Sequence, residues 1–385
     1  MTLAAWIFWT CWLMIAYSYC LFPLLLGAAA HLFGRVPGNR RRVEICDAAV
    51  PSVALIVAAH NEEHWIERKL RNSLGVDYPP DRLEVWIGSD GSTDGTARIA
   101  GAIKDPRVRF FDFKQRRGKQ SVLTDLVREC RAEILVFSDA NSMLDSTAVR
   151  RLVEHFADPE VGIVSGEVVL DHAGGPSGEG LYWKYECWIK SAESRLGLLM
   201  GCNGGLFAVR RELFRPLPAD TIVEDFVLTL RVLQEGWQAR FDRAARALEP
   251  PAPSARAEMV RKVRIGAGGF QALGLTWPLL LPSRGWVAFA YWGHKVLRWL
   301  TPPLALTATV ANTALLGEPF YAAFLACVLA GVALGERLYR HESQFAIPGW
   351  VRAVGYFYLM NWALFLGLLR WLRGSQQVTW ERVGR

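Results

Sequence analysis

The first 34 residues of this 385-residue chain lack Asp, Glu, Lys and Arg, although the whole sequence has 44 basic and 37 acidic side chains. The charged residues are concentrated between Arg35 and Arg298, and beyond that point apolar runs alternate with short charged patches. This distribution excludes a simple soluble protein, a disordered chain and a pure transmembrane bundle. It predicts a soluble domain held between membrane segments.

Several common signatures are also missing. The seven cysteines show no Cys-x-x-Cys spacing, and no Gly-x-Gly-x-x-Gly or Gly-x-x-x-x-Gly-Lys pattern occurs. These absences argue against a zinc or redox cysteine site, a dinucleotide fold and a phosphate-binding P-loop, and they favour reduced thiols. The net charge of +7 comes largely from arginines beside apolar segments, and no nucleic-acid-binding motif is visible. We therefore expect membrane lipids, and no nucleic acid, as partners of the basic surface.

The N-terminal segment from Leu3 to Phe33 is apolar throughout. Because about 20 apolar residues suffice to cross a hydrocarbon core of about 30 Å, it predicts a transmembrane helix over 1–34. A secretory signal peptide, the alternative, has a shorter apolar region after a basic start. Arginines follow the segment directly, at Arg35, Arg40, Arg41 and Arg42. Since short basic flanks stay in the cytoplasm, the chain is expected to be an integral protein of a bacterial inner (plasma) membrane with a cytosolic central domain.

The C-terminal region, 299–385, contains three shorter apolar runs at 299–317, 319–335 and 353–369. Three crossings after an N-terminal one would place the basic tail outside the cell, against the usual preference of arginine, so a hairpin or re-entrant segment stays open. Between 258 and 298, basic residues alternate with apolar ones at helical spacing and tryptophans accumulate. This pattern predicts amphipathic interfacial helices, with a buried helix of the soluble domain as the alternative.

The central domain, 35–257, alternates strand and helix. Strands are predicted at 53–58, 83–89, 108–113 and 134–139. One helix is predicted to start after Asn61, its N-cap, and to run towards Leu74, and a second helix is predicted over 119–130. Apolar strands separated by helices predict an α/β fold with a Rossmann-like, mostly parallel sheet covered on both faces. Polar residues stand at the strand ends, where such sheets bind their ligands.

Six short motifs follow one another in this domain. They are Ala-His-Asn-Glu-Glu at 59–63, Ser-Asp-Gly-Ser-Thr-Asp at 89–94, Gly-Lys at 118–119, Phe-Ser-Asp-Ala-Asn at 137–141, Gly-Cys-Asn-Gly-Gly at 201–205 and Val-Glu-Asp at 223–225. In this order they resemble the motifs of membrane-bound family 2 glycosyltransferases, a group that includes cellulose, hyaluronan and poly-N-acetylglucosamine synthases. The resemblance implies a GT-A-type nucleotide-sugar-binding domain and covers the chain from about Pro51 to Arg264.

The resemblance also implies roles for individual residues. Those expected to bind a nucleotide diphosphate sugar, UDP-linked, are Asn61, Glu62, Asp90, Lys119, Asp139, Arg261 and Arg264, and those expected at the acceptor are Cys202, Asn203 and Gly204. Asp225 takes the place of the catalytic base, with Glu224 before it. Asp139 and Asn141 would hold Mg²⁺ or Mn²⁺ on the diphosphate, although Asn141 replaces the second aspartate of the family pattern. For Asp94 a helix-capping role is the alternative to a ligand contact.

The resemblance therefore implies an inverting transfer of a hexose or N-acetylhexosamine to a growing polysaccharide at the membrane, coupled to export. One departure keeps an alternative open. Processive synthases carry Gln-x-x-Arg-Trp or Arg-x-x-Arg-Trp after the base, whereas Arg261-Lys262-Val263-Arg264-Ile265 lacks the tryptophan that would stack on the acceptor sugar. A non-processive enzyme acting on a lipid-linked acceptor is thus the first alternative, and a catalytically silent membrane scaffold is the second.

Overall fold

The computed structural model describes residues 2–34, 50–170, 178–252, 254–340 and 349–375. They form two compact units. The limits of the first unit are Met1–Phe33, Ala173–Ala192 and Ala252–Gln376. The limits of the second unit are Gly34–His172, Glu193–Pro251 and Gln377–Arg385. The arginines predicted to flank the N-terminal segment, from Arg35 to Arg42, lie outside the described residues, as do Cys46 and the last arginines of the tail.

The N-terminal piece of the first unit is helical. It contains α1 (Leu3–Ala16), a π-helical turn (Tyr17–Leu21) and α2 (Phe22–Leu32). The Thr2 hydroxyl accepts the Ala5 N–H and so caps the start of α1. The π-helical turn ends two residues before Pro23, whose ring nitrogen has no hydrogen to donate to the helix ladder.

The second unit is built on a sheet whose strands, in the described residues, are β1 (Val53–Ala59), β2 (Leu83–Asp90), β3 (Val108–Phe113), β4 (Ile134–Phe137), β5 (Met143–Leu144), β6 (Val161–Leu170), β7 (Phe207–Arg210) and β8 (Gln238–Glu249). Their order is β3-β2-β1-β4-β7-β6-β8-β5. Strand β1 is parallel to β2 and β4, and β2 to β3, whereas β7 is antiparallel to β4 and β6. The mostly parallel sheet is confirmed, and the antiparallel β7 is an addition that the apolar pattern did not predict.

The helices of this unit are α3 (Ile66–Leu74), α4 (Thr96–Ala102), α5 (Lys119–Glu129), α6 (Ala148–Glu154), the last turn of α7 (Gly178–Arg195) and α8 (Glu224–Gln234). On one face of the sheet, Ile66 and Leu70 of α3 pack in a single apolar cluster with Val57 and Ile87. On the other face, Val122 of α5 lies directly over Gly88. The predicted covering of both faces is therefore confirmed for the central strands.

Two local predictions were wrong. Helix α3 begins at Ile66, and Asn61 is not its N-cap but occupies a turn with a φ of 54°. Strand β4 ends at Phe137, so Asp139 lies in a turn beyond the strand, where Ser142 N donates to the Asp139 carbonyl oxygen at 3.1 Å. At Asn61 a turn held by side-chain hydrogen bonds delays the start of the helix, and at Asp139 a turn ends the strand earlier than the apolar pattern suggests.

The remaining helices of the first unit are α9 (Ala255–Thr276), α10 (Trp286–Tyr291), α11 (Leu297–Trp299), α12 (Thr301–Thr313), α13 (Pro319–Arg340) and α14 (Gly349–Leu372). Met259 and Val263 of α9 pack against Leu359 and Ala363 of α14. These two α9 residues, which the helical pattern placed against lipid, are thus covered by protein. An interfacial position for the rest of α9 stays a prediction.

Among the described residues, two helical runs are long and apolar enough to cross a membrane by length and composition, Leu3–Leu32 and Pro319–Leu338. Helix α12 has 13 residues. At about 1.5 Å per residue it spans about 20 Å, less than a hydrocarbon core of about 30 Å. Three C-terminal crossings therefore stay a prediction, which α13 supports and α12 does not.

Candidate active site

Polar residues follow three neighbouring parallel strands, and the sheet brings them to one edge. Strands β2, β1 and β4 are adjacent and continue into Asp90, into His60–Glu62 and into Asp139. The His60 Nδ1 atom lies 2.7 Å from the Asp90 carbonyl oxygen, which joins two of these strand ends. The polar strand ends therefore lie at one edge of the sheet, as predicted, and ligand binding there stays a prediction.

The Asp90 carboxylate holds the loop that leads into α5. It is 1% exposed, its Oδ1 accepts the Arg117 N–H at 2.7 Å, and its Oδ2 accepts the Gly118 N–H at 2.8 Å. These two bonds fix the backbone that presents Lys119 at the first position of α5. The structure thus gives Asp90 a positioning function, and its direct contact with a nucleotide stays a prediction.

The loop after β1 is tied to the loop after β2. Asn61 Oδ1 accepts the Thr93 N–H at 2.8 Å, and the Glu62 N–H donates to Thr96 Oγ1 at 2.7 Å. Asp94 Oδ1 accepts the Thr96 N–H, at the first residue of α4, at 2.9 Å. The N-cap of α4 is Gly95, and the choice between a capping role and a ligand contact for Asp94 stays a prediction. Asn61 and Glu62 lie at the predicted edge of the sheet, and their contact with a nucleotide stays a prediction.

Lys119 joins two acidic residues of the site. Its Nζ donates to Asp139 Oδ1 at 2.8 Å and lies 2.6 Å from Glu224 Oε1. Burial lowers the pKa of Lys119, but the two carboxylates outweigh this effect and hold it above its usual range. The ammonium is therefore charged at any physiological pH. The Lys119 side chain is 21% exposed.

Asp225 is the neighbour of Glu224 in the first turn of α8. Its Oδ1 accepts the N–H of Phe226 at 2.9 Å, as expected for a carboxylate at a helix N-terminus. Burial, followed by the charge of Glu224, raises the pKa of Asp225 to about 6, although Lys119 opposes this change. A carboxyl with such a pKa is ionised at neutral pH and is a stronger base than an ordinary aspartate.

The Gly201–Gly205 loop lies beside these acidic residues. A Cβ built on Gly204 would be 3.1 Å from Asp225 Oδ2 and 3.9 Å from Lys119 Nζ. Because glycine has no side chain, the loop backbone lies close to both functional groups. Of the three predicted acceptor residues, Gly204 is the one that the structure brings to Asp225.

Cys202 and Asn203 support the loop from behind. Cys202 is buried, and its N–H donates to Thr229 Oγ1 at 3.1 Å. The Asn203 side-chain amide donates to the Gly166 carbonyl oxygen at 2.6 Å, and the Asn203 backbone N–H donates to Ser165 Oγ at 2.9 Å. Both residues hold the loop on β6 and α8, and their predicted contact with an acceptor stays a prediction.

Asp139 and Asn141 share one short turn, in which both side chains are half-buried. In the part of the chain that the structure describes, no group of three or more His, Cys, Asp or Glu side chains could hold a metal ion alone. Mg²⁺ is typically held by one or two carboxylates together with substrate phosphates, so a turn with one carboxylate and one amide fits a cation that arrives with a diphosphate. It does not fit a permanent protein-bound metal.

A buried group beneath this turn was missed by sequence reasoning. Lys69 of α3 is 0% exposed, and its Nζ donates to Ser138 Oγ at 2.7 Å and to the Ser142 carbonyl oxygen. Burial lowers the pKa of Lys69 to about 7, although Asp139 and Glu249 attract the ammonium. The available signal was the position of a lysine in the buried stripe Ile66, Lys69, Leu70 and Ser73 of α3.

Arg261 and Arg264, predicted at the diphosphate, lie on α9 in the other unit. Arg261 is exposed and forms two hydrogen bonds to Glu258, both of 2.9 Å. This pair is separated by one helical turn and explains the local orientation of the guanidinium. A diphosphate contact of either arginine stays a prediction.

Comparison with known proteins shows which sequences and structures this chain resembles. Residues 54–217 match the model of the glycosyl transferase family 2. A beta-monoglucosyldiacylglycerol synthase of Nostoc sp. is 25% identical over 78% of this chain and 67% of its own length. An N-acetylglucosaminyltransferase of Rhizobium meliloti is 25% identical over 64% of this chain and 62% of its own length. A poly-beta-1,6-N-acetyl-D-glucosamine synthase of Staphylococcus aureus is 24% identical over 50% of this chain and 48% of its own length.

The chain thus spans between about half and two thirds of the length of these relatives. Among solved structures, the mannosyltransferase PcManGT of Pyrobaculum calidifontis, in complex with GDP-Man and Mn²⁺, superposes with a TM-score of 0.72 at 23% identity and covers 96% of this chain and 99% of its own. This likeness confirms the GT-A fold expected from the motifs. Residues 54–217 therefore match glycosyl transferase family 2 in sequence, and the chain has a GT-A fold.

Proposed function

We propose that this enzyme transfers a hexose or N-acetylhexosamine from a nucleotide diphosphate sugar, UDP-linked, to a hydroxyl group of a lipid acceptor, with inversion at the anomeric carbon. The observation that carries the proposal is the cluster in which Lys119 joins Asp139 to Glu224, directly beside Asp225. One cluster thus contains a cation, an oxygen ligand for a metal ion and a carboxylate of raised pKa.

At the donor end, Asp139 and Asn141 would hold Mg²⁺ or Mn²⁺. When bound, the ion would neutralise negative charge on the leaving diphosphate. The single carboxylate of the turn supports this assignment, as does the Mn²⁺ in the structure of the related mannosyltransferase. Lys119 adds a permanent positive charge at the same place, and Asp90 holds the backbone from which Lys119 extends.

At the acceptor end, Asp225 takes the proton of the attacking hydroxyl group. The acceptor oxygen forms a bond to the anomeric carbon while the bond from this carbon to the diphosphate oxygen breaks, and the electron pair leaves with the diphosphate. Attack opposite to the leaving group inverts the configuration in one displacement. The loop backbone at Gly204 lies against Asp225 Oδ2, where we place the acceptor hydroxyl group.

Two features favour a lipid acceptor and a single addition. Ile265 stands where processive synthases carry the tryptophan that stacks on the acceptor sugar. Three of the similar relatives are beta-monoglucosyldiacylglycerol synthases. The apolar run Leu3–Leu32 supports a place in the membrane, which we propose to be a bacterial inner (plasma) membrane with the catalytic unit in the cytosol. Elongation of a polysaccharide is the second candidate, which the poly-N-acetylglucosamine synthase relatives favour.

A donor screen tests the proposal. The full chain, purified in lipid nanodiscs with Mn²⁺ or Mg²⁺, is offered UDP- and GDP-linked sugars with and without diacylglycerol, and release of nucleotide diphosphate and the length of labelled products are measured. We expect one donor to give a product carrying a single sugar, only when lipid acceptor is present. A ladder of long products would instead establish the polysaccharide candidate. Absence of binding and turnover with every donor would refute both candidates, and binding without turnover would match the silent scaffold.

The rate of transfer should depend on the ionisation of Asp225. As a base it acts only when deprotonated, so we expect kcat/KM to fall as the pH drops through 6, the raised pKa of Asp225. The fall should be about tenfold for each pH unit on the acidic side. Glu224→Gln should move this acidic limb to lower pH, because the charge of Glu224 is, after burial, the largest cause of the raised pKa. A pH–rate profile of both proteins measures the effect, and an identical acidic limb in the two would contradict it.

A further inference from the structure

Lys69 is a fully buried cation that the proposed reaction does not use. It is among the largest side chains that are entirely inaccessible to solvent, on the face of α3 that packs on the sheet. Transfer of an ammonium group from water to a protein interior costs several kcal/mol unless it is paired and hydrogen-bonded. An apolar side chain of the same length would avoid this cost, so the charge at this position needs a reason.

The hydrogen bonds of Lys69 supply a reason, because they hold both ends of one turn. The Nζ donates to Ser138 Oγ at 2.7 Å, just before Asp139, and to the carbonyl oxygen of Ser142, just after Asn141. Within the turn, Ser142 N donates to the Asp139 carbonyl oxygen at 3.1 Å. The ammonium thereby closes the base of the segment that presents both predicted metal ligands.

The same bonds connect this turn to the glycine loop at Asp225. Ser138 Oγ, which accepts from Lys69, donates to the Gly205 carbonyl oxygen at 2.8 Å. Ser142 Oγ forms a hydrogen bond to the Glu249 carboxylate, and a Cβ on Gly205 would meet that carboxylate at 2.1 Å. Lys69, Ser138, Ser142 and Glu249 thus form one buried network that contacts both the donor side and the acceptor side of the site.

The charges of this network are complementary. Asp139 and Glu249 both attract the Lys69 ammonium, and the three groups are connected through Ser138 and Ser142. Removing the Lys69 ammonium would leave Ser138 Oγ and the Ser142 carbonyl oxygen without their donor and would remove the charge that Asp139 and Glu249 attract. Partners that orient metal ligands in this way affect metal affinity. A packing function alone would require neither the charge nor the hydrogen bonds.

We propose that Lys69 is a positioning residue for the donor site, whose ammonium holds the Ser138–Ser142 turn so that Asp139 and Asn141 receive a divalent cation together with the nucleotide diphosphate. This inference rests on the proposed function, because it assumes that the turn binds a metal ion. It adds the buried support of that turn and its connection to the Gly201–Gly205 loop.

Mn²⁺ binding to the full chain tests the inference. Wild type and Lys69→Met are titrated with Mn²⁺ in the presence of saturating UDP or GDP, whichever the wild type binds, and free Mn²⁺ is measured by electron paramagnetic resonance. We expect the substitution to raise the Mn²⁺ dissociation constant about tenfold or more, because orienting partners of metal ligands typically contribute 10–100-fold. Affinity for the nucleotide without metal should not change, and saturating Mn²⁺ should restore most of kcat.

Ser73→Ala is the matched control. Ser73 lies one turn further along the same buried face of α3, and its hydroxyl has no hydrogen-bond partner among the described residues. We expect this variant to bind Mn²⁺ as the wild type does. A Mn²⁺ dissociation constant of Lys69→Met within twofold of the wild-type value would overturn the inference and leave the proposed function intact.

Ser138→Ala provides a second measurement if Lys69→Met does not fold. It removes the oxygen that links Lys69 to Gly205 but leaves the buried cation in place. We expect a several-fold weaker Mn²⁺ affinity, and an unchanged value would overturn the inference. If the wild type binds neither nucleotide nor Mn²⁺, the proposed function fails and the inference fails with it. This outcome differs from weaker Mn²⁺ binding that is limited to the variants.

Discussion

Asp225→Asn is expected to abolish sugar transfer while leaving donor binding in place. The amide has nearly the shape of the carboxylate but cannot accept the acceptor proton, and loss of a general base typically costs 10²–10⁴-fold in rate. We therefore expect kcat to fall by about 10³-fold or more, with little change in the dissociation constant of the nucleotide sugar. Single-turnover rates with labelled donor, together with calorimetric donor binding, measure the two effects separately.

The same substitution should not destabilise the protein. The pKa of Asp225 in the folded protein, about 6, lies above the ordinary aspartate value of 3.8. The ionised carboxylate therefore costs folding free energy, and this cost appears as the pH rises from the lower value through the higher one. At pH 7 the cost is fully present, and asparagine removes it, so Tm at pH 7 should hold or rise. Glu235→Gln, an exposed position just after α8, is the control for a lost acidic charge. Transfer at the wild-type rate by Asp225→Asn would refute the assignment of the base.

Asp139→Asn is expected to have the second large effect, on the donor side. It removes the one carboxylate of the turn and one of the two carboxylates that Lys119 contacts. A metal ion on a transferring group contributes several kcal/mol, and about 4 kcal/mol corresponds to roughly a thousandfold in kcat/KM. Stimulation by Mn²⁺ or Mg²⁺ should be lost together with the rate, which a titration of activity against metal concentration shows.

Asp145→Asn is the matched control for this prediction. Asp145 is exposed, six positions further along the chain, and the same charge is lost there without a change in the turn. We expect its metal dependence to equal that of the wild type. Asp139→Asn with undiminished metal stimulation would show that the cation binds elsewhere and would remove Asp139 from the proposed mechanism.

Strands β1 and β2 were predictable because their residues are mostly apolar and buried. β1 and β2 extend only one residue beyond the predicted 53–58 and 83–89, and all seven residues of β1 are buried. Asn61 was misassigned because its helix-capping preference is a local property, whereas its actual partner is the Thr93 N–H on a neighbouring loop. The short antiparallel β7 was missed for a similar reason, since its pairing with β4 and β6 joins distant parts of the chain.

The amino-acid sequence alone determined the α/β class, the order of the acidic motifs and the resemblance to family 2 glycosyltransferases, because apolar periodicity and motif order are properties of neighbouring residues. Only the tertiary structure decided that Lys119 joins Asp139 to Glu224, that Asp225 has a raised pKa, and that Lys69 lies beneath the Ser138–Ser142 turn. These features depend on burial and on contacts between residues far apart in the chain. The cost of desolvating a charge, and the partner that offsets it, exist only once the chain has folded.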